Sequence, residues 1–179
     1  RELRARGART VGDTLDGHLG VLVGTQAYYD RGAPQGLQLW GCDPRRLLVL
    51  VDGRRVIGTA DGIVDAAQIG LGDVARIEIL RGAASALYGA DAVCGVVHVI
   101  RRAPPRRGAV LDALAEYGSL NHHHLRLDVG VRPRPTLGLR AGVEVRGRDG
   151  FDLDRSSPAT DGYAARAVQG SLRLTWQPA

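Results

Sequence analysis

The 179-residue chain contains no methionine and no lysine. Without methionine, Arg1 is not a translation start, so a mature product or a piece of a longer chain is expected. Without lysine, all 24 basic residues are arginine, and the net charge is +5. Arginine suits phosphate recognition, so the skew invites a nucleic-acid partner with salt-sensitive affinity. The arginines are instead scattered among Asp and Glu, with no basic stripe interleaved with aromatics, so no nucleic acid is expected. A GC-rich genome that encodes Arg in place of Lys accounts for the skew. No apolar run approaches the length of a membrane-spanning helix, and no signal peptide is visible. Cys42 and Cys94 are too few for a disulfide framework or a zinc site. They pair in an oxidising compartment, or they are two small buried thiols. No nucleophile elbow, phosphate-binding loop or metalloprotease helix occurs, so no enzyme is expected. Gly70-Leu71-Gly72-Asp73-Val74-Ala75 has the glycines of a dinucleotide fingerprint, but it precedes a strand instead of following one.

Glycine is abundant, at 25 residues, which favours turns and sheet over long helices. The segment from Ile77 to Ile100 concentrates this grammar. Ala75–Leu80 alternates like a strand and Arg81-Gly82 breaks it. Ala83–Tyr88 is a run of helix formers, and Gly89 stands where a helix C-cap belongs. Val96–Ile100 is a second strand. Upstream, Thr10-Val11-Gly12-Asp13 has a capping-box pattern, and Val11–His18 reads as a short amphipathic helix. Gly20–Val23 turns into a strand, Leu37–Gly41 is another, and Leu47–Val51 is apolar enough to be buried on both faces. Asp52-Gly53 signals a hairpin, with Arg54–Ile57 returning. Asp65–Ile69 is at most one helical turn.

Three blocks in register, Arg76-Ile77-Glu78-Ile79-Leu80-Arg81-Gly82, Ser85-Ala86-Leu87-Tyr88-Gly89 and Gly95-Val96-Val97-His98-Val99-Ile100, resemble the plug-domain signature of TonB-dependent outer-membrane receptors. Leu48-Val49-Leu50-Val51-Asp52-Gly53 is a further element of that kind. The chain departs from the family pattern where Ala83 replaces proline, Cys94 glycine, and His98 the common asparagine. Leu19-Gly20-Val21 lacks the family's proline, and Trp40 stands where the family has arginine.

After Arg101–Gly108, four arginines with Pro104-Pro105, the character changes. Leu125, Leu127, Val129 and Val131 alternate with His124, Arg126, Asp128 and Gly130. Leu137–Val145 and Val168–Trp176 alternate likewise. With Ala109–Tyr117 these make about four strands of the length a tilted membrane strand needs. Periodicity alone favours a soluble sheet with one wet face. The resemblance implies instead the start of a barrel of about 22 strands that the plug blocks. The apolar face then meets lipid, with Tyr117 and Trp176 at the interface. The expected fold is an α+β plug domain, a small mixed β-sheet with short helices, over residues 1–103. A linker follows over 104–108. The first antiparallel transmembrane β-barrel strands, an incomplete barrel, occupy 109–179. Arg132–Thr136 reads as a short periplasmic turn and Asp149–Ala164 as a long extracellular loop.

The resemblance implies active uptake of a scarce nutrient, a ferric siderophore, haem or cobalamin, across the outer membrane of a Gram-negative bacterium. Its partners are the TonB energy-transducing complex, the nutrient cargo and outer-membrane lipid. No TonB box is recognisable in the first ten residues. Arg76, Glu78 and Arg81 match charged plug positions that form a polar lock with the barrel wall; otherwise Arg76 and Glu78 are a local pair on one strand face. Cargo contacts are expected at loop tips, first Tyr28, Tyr29, Asp30 and Arg31, then Thr59 and Asp61. No cofactor is expected, apart from calcium at the clustered Asp149, Asp152, Asp154 and Asp161, whose spacing is not a calcium-loop signature. His122-His123-His124 places at most two imidazoles on one strand face, too few for a structural zinc. The alternative reading is a stand-alone soluble periplasmic binding module with a plug-like fold.

Overall fold

The computed structural model describes residues 8–25, 35–58, 62–82, 85–150 and 164–177. The chain forms two compact units, Arg1–Arg102 and Ala103–Ala179.

The first unit opens with helix α1, Val11–Leu15. Thr10 caps it: its hydroxyl accepts from Asp13 N at 3.0 Å, and Asp13 Oδ2 accepts from Thr10 N at 2.9 Å. That reciprocal capping box satisfies backbone donors a five-residue helix would otherwise leave open. The helix is shorter than the expected Val11–His18, because Gly17 and Gly20 take positive φ of 76° and turn the chain. Strands β1, Val21–Thr25, and β2, Gln35–Leu39, then pair as an antiparallel ribbon. The second strand stops before the expected Gly41. Trp40 and Gly41 both adopt left-handed backbone, φ 54° and 73°.

A one-turn 3₁₀ segment, Pro44–Arg46, leads into β3, Leu47–Val51. Asp52-Gly53 turns the chain into β4, which keeps only Arg54–Arg55 in the ladder. Strand β5, Val74–Arg81, follows, then α2, Ser85–Tyr88, a 3₁₀ turn at Ala90–Ala92, and β6, Gly95–Arg101. The sheet order is β4-β3-β6-β5. The β3–β6 pair is parallel and the flanking pairs are antiparallel, so the sheet is mixed. Its centre is buried on both faces, as the unbroken apolar run of β3 requires. Leu47, Val49, Val97 and Val99 join the main core with Val11, Leu15, Leu37 and Leu39. Leu48, Leu50 and Val96 form a smaller cluster with Ala92.

Cys42 and Cys94 form a disulfide across 52 residues, with Cα atoms 5.9 Å apart. It sits just ahead of the paired starts of β3 and β6, where Leu47 is in register with Gly95. Cys94 N also donates to Arg46 O at 3.1 Å, so backbone and disulfide tie the same two segments.

The second unit is one antiparallel sheet in the order β10-β9-β8-β7. Its strands are β7, Gly108–Gly118; β8, His122–Arg134; β9, Leu137–Arg148; and β10, Ala165–Trp176. The β8–β9 turn is tighter than the expected Arg132–Thr136. Pro133 is accommodated at a register shift between Val131 and Arg134, the kind of place where a strand tolerates proline. Arg132 Nη1 clamps the turn by donating to Pro135 O at 2.9 Å.

Candidate functional site

Strand register sorts the second sheet into two faces. One carries Leu111, Leu125, Leu127, Val129, Val143 and Leu172, all exposed. Tyr117 and Trp176 stand on this face at opposite ends of the strands, both exposed. The other face carries the charges. Asp128 is 1% exposed and receives both Nε, at 3.1 Å, and Nη2 of Arg140. Arg126 Nη2 donates to Asp112 Oδ1 at 2.8 Å across the β7–β8 pair. His124 Nε2 donates to Glu144 Oε1 at 2.9 Å, and Glu116 lies 3.5 Å from Nδ1. Arg146 Nε is 3.5 Å from the same Glu144. Charged side chains are tolerated out of water only when paired, and each of these sits in an ion pair, although His124 Nδ1 and Arg126 Nε are buried without a hydrogen-bond partner among the described residues.

Residues 103–105 lie on this charged face. Arg140 Nη1 donates to Ala103 O at 3.1 Å and Arg132 Nε to Pro105 O at 2.7 Å. Two glycines make the room. A Cβ on Gly130 would come within 2.9 Å of Pro105 Cδ, and one on Gly138 within 2.9 Å of Pro104 Cβ. Residues 103–105, which overlap the stretch expected as a linker, form a strap seated in two notches of the sheet.

In the first unit the charges gather at one end of β6. Asp52, at φ 50°, accepts from Arg101 N at 2.9 Å and Arg101 Nε at 2.8 Å. Arg101 Nη1 is also 3.7 Å from Asp73. His98 Nε2 accepts from Gly53 N at 2.8 Å, which leaves Nδ1 directed at Glu78, 3.9 Å away. Position 98, where the asparagine of the family pattern is replaced, thus still serves the β3–β4 turn through a ring nitrogen. The sequence reading missed this Asp52–Arg101–Asp73 group. Asp52 in the hairpin signal was its only sequence mark.

Arg76, Glu78 and Arg81 separate into two contacts. Arg76 Nε donates to Glu78 Oε1 at 2.7 Å, with both side chains more than half exposed. Arg81 Nη2 donates to Leu19 O at 3.2 Å, and its guanidinium lies 5.9 Å from the centre of the Trp40 ring. Trp40 packs so closely on Gly20 that a Cβ there would meet its ring at 2.6 Å. Arg81, which the resemblance assigned to a lock, thus makes a cation–π contact to Trp40. Tyr28, Tyr29, Asp30, Arg31, Thr59 and Asp61 lie outside the described residues, as do Asp152, Asp154 and Asp161. Asp149 is described, and its N donates to Leu120 O at 2.8 Å. Among the described residues, no group of three or more His, Cys, Asp or Glu is arranged to hold a metal ion.

Comparison with known proteins completes the picture. The family model of the TonB-dependent receptor plug domain matches residues 1–96. A vitamin B12 transporter, BtuB, of Vibrio cholerae serotype O1 is 38% identical over 165 residues, covering 90% of this chain and 25% of that protein. The BtuB of Photobacterium profundum is 31% identical over 150 residues, covering 84% of this chain and 24% of that protein. Among solved structures, the ferric yersiniabactin uptake receptor FyuA of Yersinia pestis superposes with a TM-score of 0.76 at 18% identity. That match covers 97% of this chain and 27% of that one. The copper transporter OprC gives 0.74 at 20% identity, covering 95% and 26%. At those identities the structures share the fold. The chain spans about a quarter of the length of the curated relatives it matches.

Proposed function

This chain belongs to the TonB-dependent receptor plug family, whose place is the outer membrane of Gram-negative bacteria, and from that premise we propose a role in nutrient uptake. In this reading, the chain is the plug and first four wall strands of a receptor that imports a scarce, bulky nutrient, cobalamin first and a ferric siderophore or haem after it. The single observation that carries the reading is the inverted second sheet: leucine and valine on the open face, ion pairs on the closed one. A water-soluble binding module with that open face would present a contiguous apolar patch, which soluble monomers avoid. A barrel wall needs it, because lipid meets one face and the plugged lumen the other.

Cobalamin comes first because relatives at 38% and 31% identity are named vitamin B12 transporters. Tyr28, Tyr29, Asp30 and Arg31, with Thr59 and Asp61, are proposed to touch cargo from plug loops. TonB is the proposed energy source. Asp149, Asp152, Asp154 and Asp161 are proposed as a calcium-ordered loop, since a hard cation takes clustered carboxylate oxygens.

The test is uptake of labelled cyanocobalamin by cells that rely on the full-length receptor, with TonB present and deleted. Accumulation only with TonB supports the reading. Tight surface binding of a ferric siderophore with no cobalamin uptake moves the cargo to that class. Recovery of the protein in the soluble fraction overturns the transporter reading.

A further inference from the structure

We infer that the Cys42–Cys94 disulfide limits how much of the plug can be drawn out from its N-terminal end. The argument is one of load path. Tension entering at the N-terminus passes along α1, β1 and β2 and reaches Cys42 directly after β2. There the chain divides. One route follows the 52 residues through β3, β4, β5 and α2 to Cys94. The other is the disulfide, a covalent short cut to the same point. A taut short cut carries the tension and leaves the longer route slack. Strands β3 to β5 therefore stay off the load path while the bond is intact.

What lies on either side differs in strength. Before Cys42, the restraints are non-covalent: the β1–β2 ribbon, backbone bonds such as Val11 N to Ile69 O, 2.8 Å, and the burial of Val11, Leu15, Leu37 and Leu39 in the core. Sufficient tension can break all of these without breaking a covalent bond. Beyond Cys94 the path runs down β6, which lies between β3 and β5 with a partner on each side. It ends in residues 103–105, held by Arg132 and Arg140 in the notches of Gly130 and Gly138. The structure thus has a leading segment held without covalent bonds, a covalent stop, and a seated anchor. Cargo passage past the plug would use the segment ahead of Cys42 alone.

The physiological direction of pull rests on the uptake reading above; the partition itself does not. The test is force spectroscopy on the full-length receptor in a lipid bilayer, gripped at its N-terminus, without and with dithiothreitol. Intact, the first release is expected to stop at Cys42. Reduction is expected to lengthen it by the 52 residues of the bypassed loop, about 170–190 Å at roughly 3.3–3.6 Å per residue. Equal release lengths in the two conditions overturn the inference, as do two free thiols in the native protein by non-reducing mass spectrometry. The readout needs neither TonB nor cargo. A receptor that transports nothing still shows the lengthening if the inference is right. A receptor that transports cobalamin with equal release lengths keeps its function and loses the stop. Because wild-type protein is compared with itself, no variant has to fold.

Discussion

The sheet β4-β3-β6-β5 and the sheet β10-β9-β8-β7 have the same number of strands and opposite interiors. In the first, Val97 and Val99 are fully buried while Arg76 and Glu78 stand in the open. In the second, Leu125, Leu127 and Leu172 stand in the open while Asp128 and Glu144 are buried. The plug sheet obeys the rule for a protein in water. The wall sheet obeys it for a sheet whose open side meets hydrocarbon, where charge is excluded and apolar side chains are at home. One chain therefore holds two solvents' worth of patterning, divided at Arg102.

Breaking the comparison at its charged centre is expected to cost most. Asp128→Ala leaves the Arg140 guanidinium buried with one carbonyl, Ala103 O, as its remaining partner among the described residues. Removing one member of a buried pair costs about 3–5 kcal/mol. Urea unfolding of the full-length receptor in micelles should show that loss, and a cost under about 1 kcal/mol would mean water reaches the pair. A gentler break uses matched leucines. Leu80 and Leu127 are 45% and 46% exposed, on the plug sheet and the wall sheet respectively. Leu127→Arg is expected to cost about 2–4 kcal/mol if the site is near the bilayer midplane, read by folding into vesicles. Leu80→Arg is expected to cost less than about 1 kcal/mol, as an exposed substitution does. Equal costs for the two would erase the distinction between the sheets.

Most of this architecture was legible in the sequence, because periodicity reports which side chains share a face. The alternation of Leu125–Val131 with His124–Gly130 gave strand and faces together, and the unbroken Leu47–Val51 gave a central strand. Local chemistry was legible where it is local: Thr10 and Asp13 form the expected capping box. What sequence could not show was pairing at a distance. Cys42 with Cys94, Asp52 with Arg101 and Arg132 with Pro105 are each set by tertiary geometry, and neither partner marks the other. Pro104-Pro105 among arginines has a linker's composition, and nothing in that composition shows that Ala103 O and Pro105 O accept from Arg140 and Arg132. Strand ends were misplaced by a residue or two where left-handed backbone at Trp40 ended a pattern that still looked apolar. The cargo-facing loop tips were proposed from resemblance and composition, and they fall outside the described residues.

The smallest effect concerns the plug's own surface pair. Arg76 and Glu78 are joined at 2.7 Å, but their side chains are 63% and 52% exposed. Water screens such a pair, and ordering two long side chains offsets much of the attraction, so its worth is about 0–1 kcal/mol. A double-mutant cycle of Arg76→Ala and Glu78→Ala in the full-length receptor is expected to give a coupling within that range. The same variants decide between pair and lock. If the two residues serve only each other, each single variant should leave nutrient uptake unchanged, since nothing else is set by their contact. If they lock the plug to the barrel wall, each single variant leaves a charge facing the wall unpaired. Uptake or passive leakage of small solutes should then change in both. The double variant, with both wall contacts removed, should depart from wild type at least as far as either single one. That pattern would bring two exposed plug residues under the rule that governs Asp128 and Arg140, charge out of water held by charge.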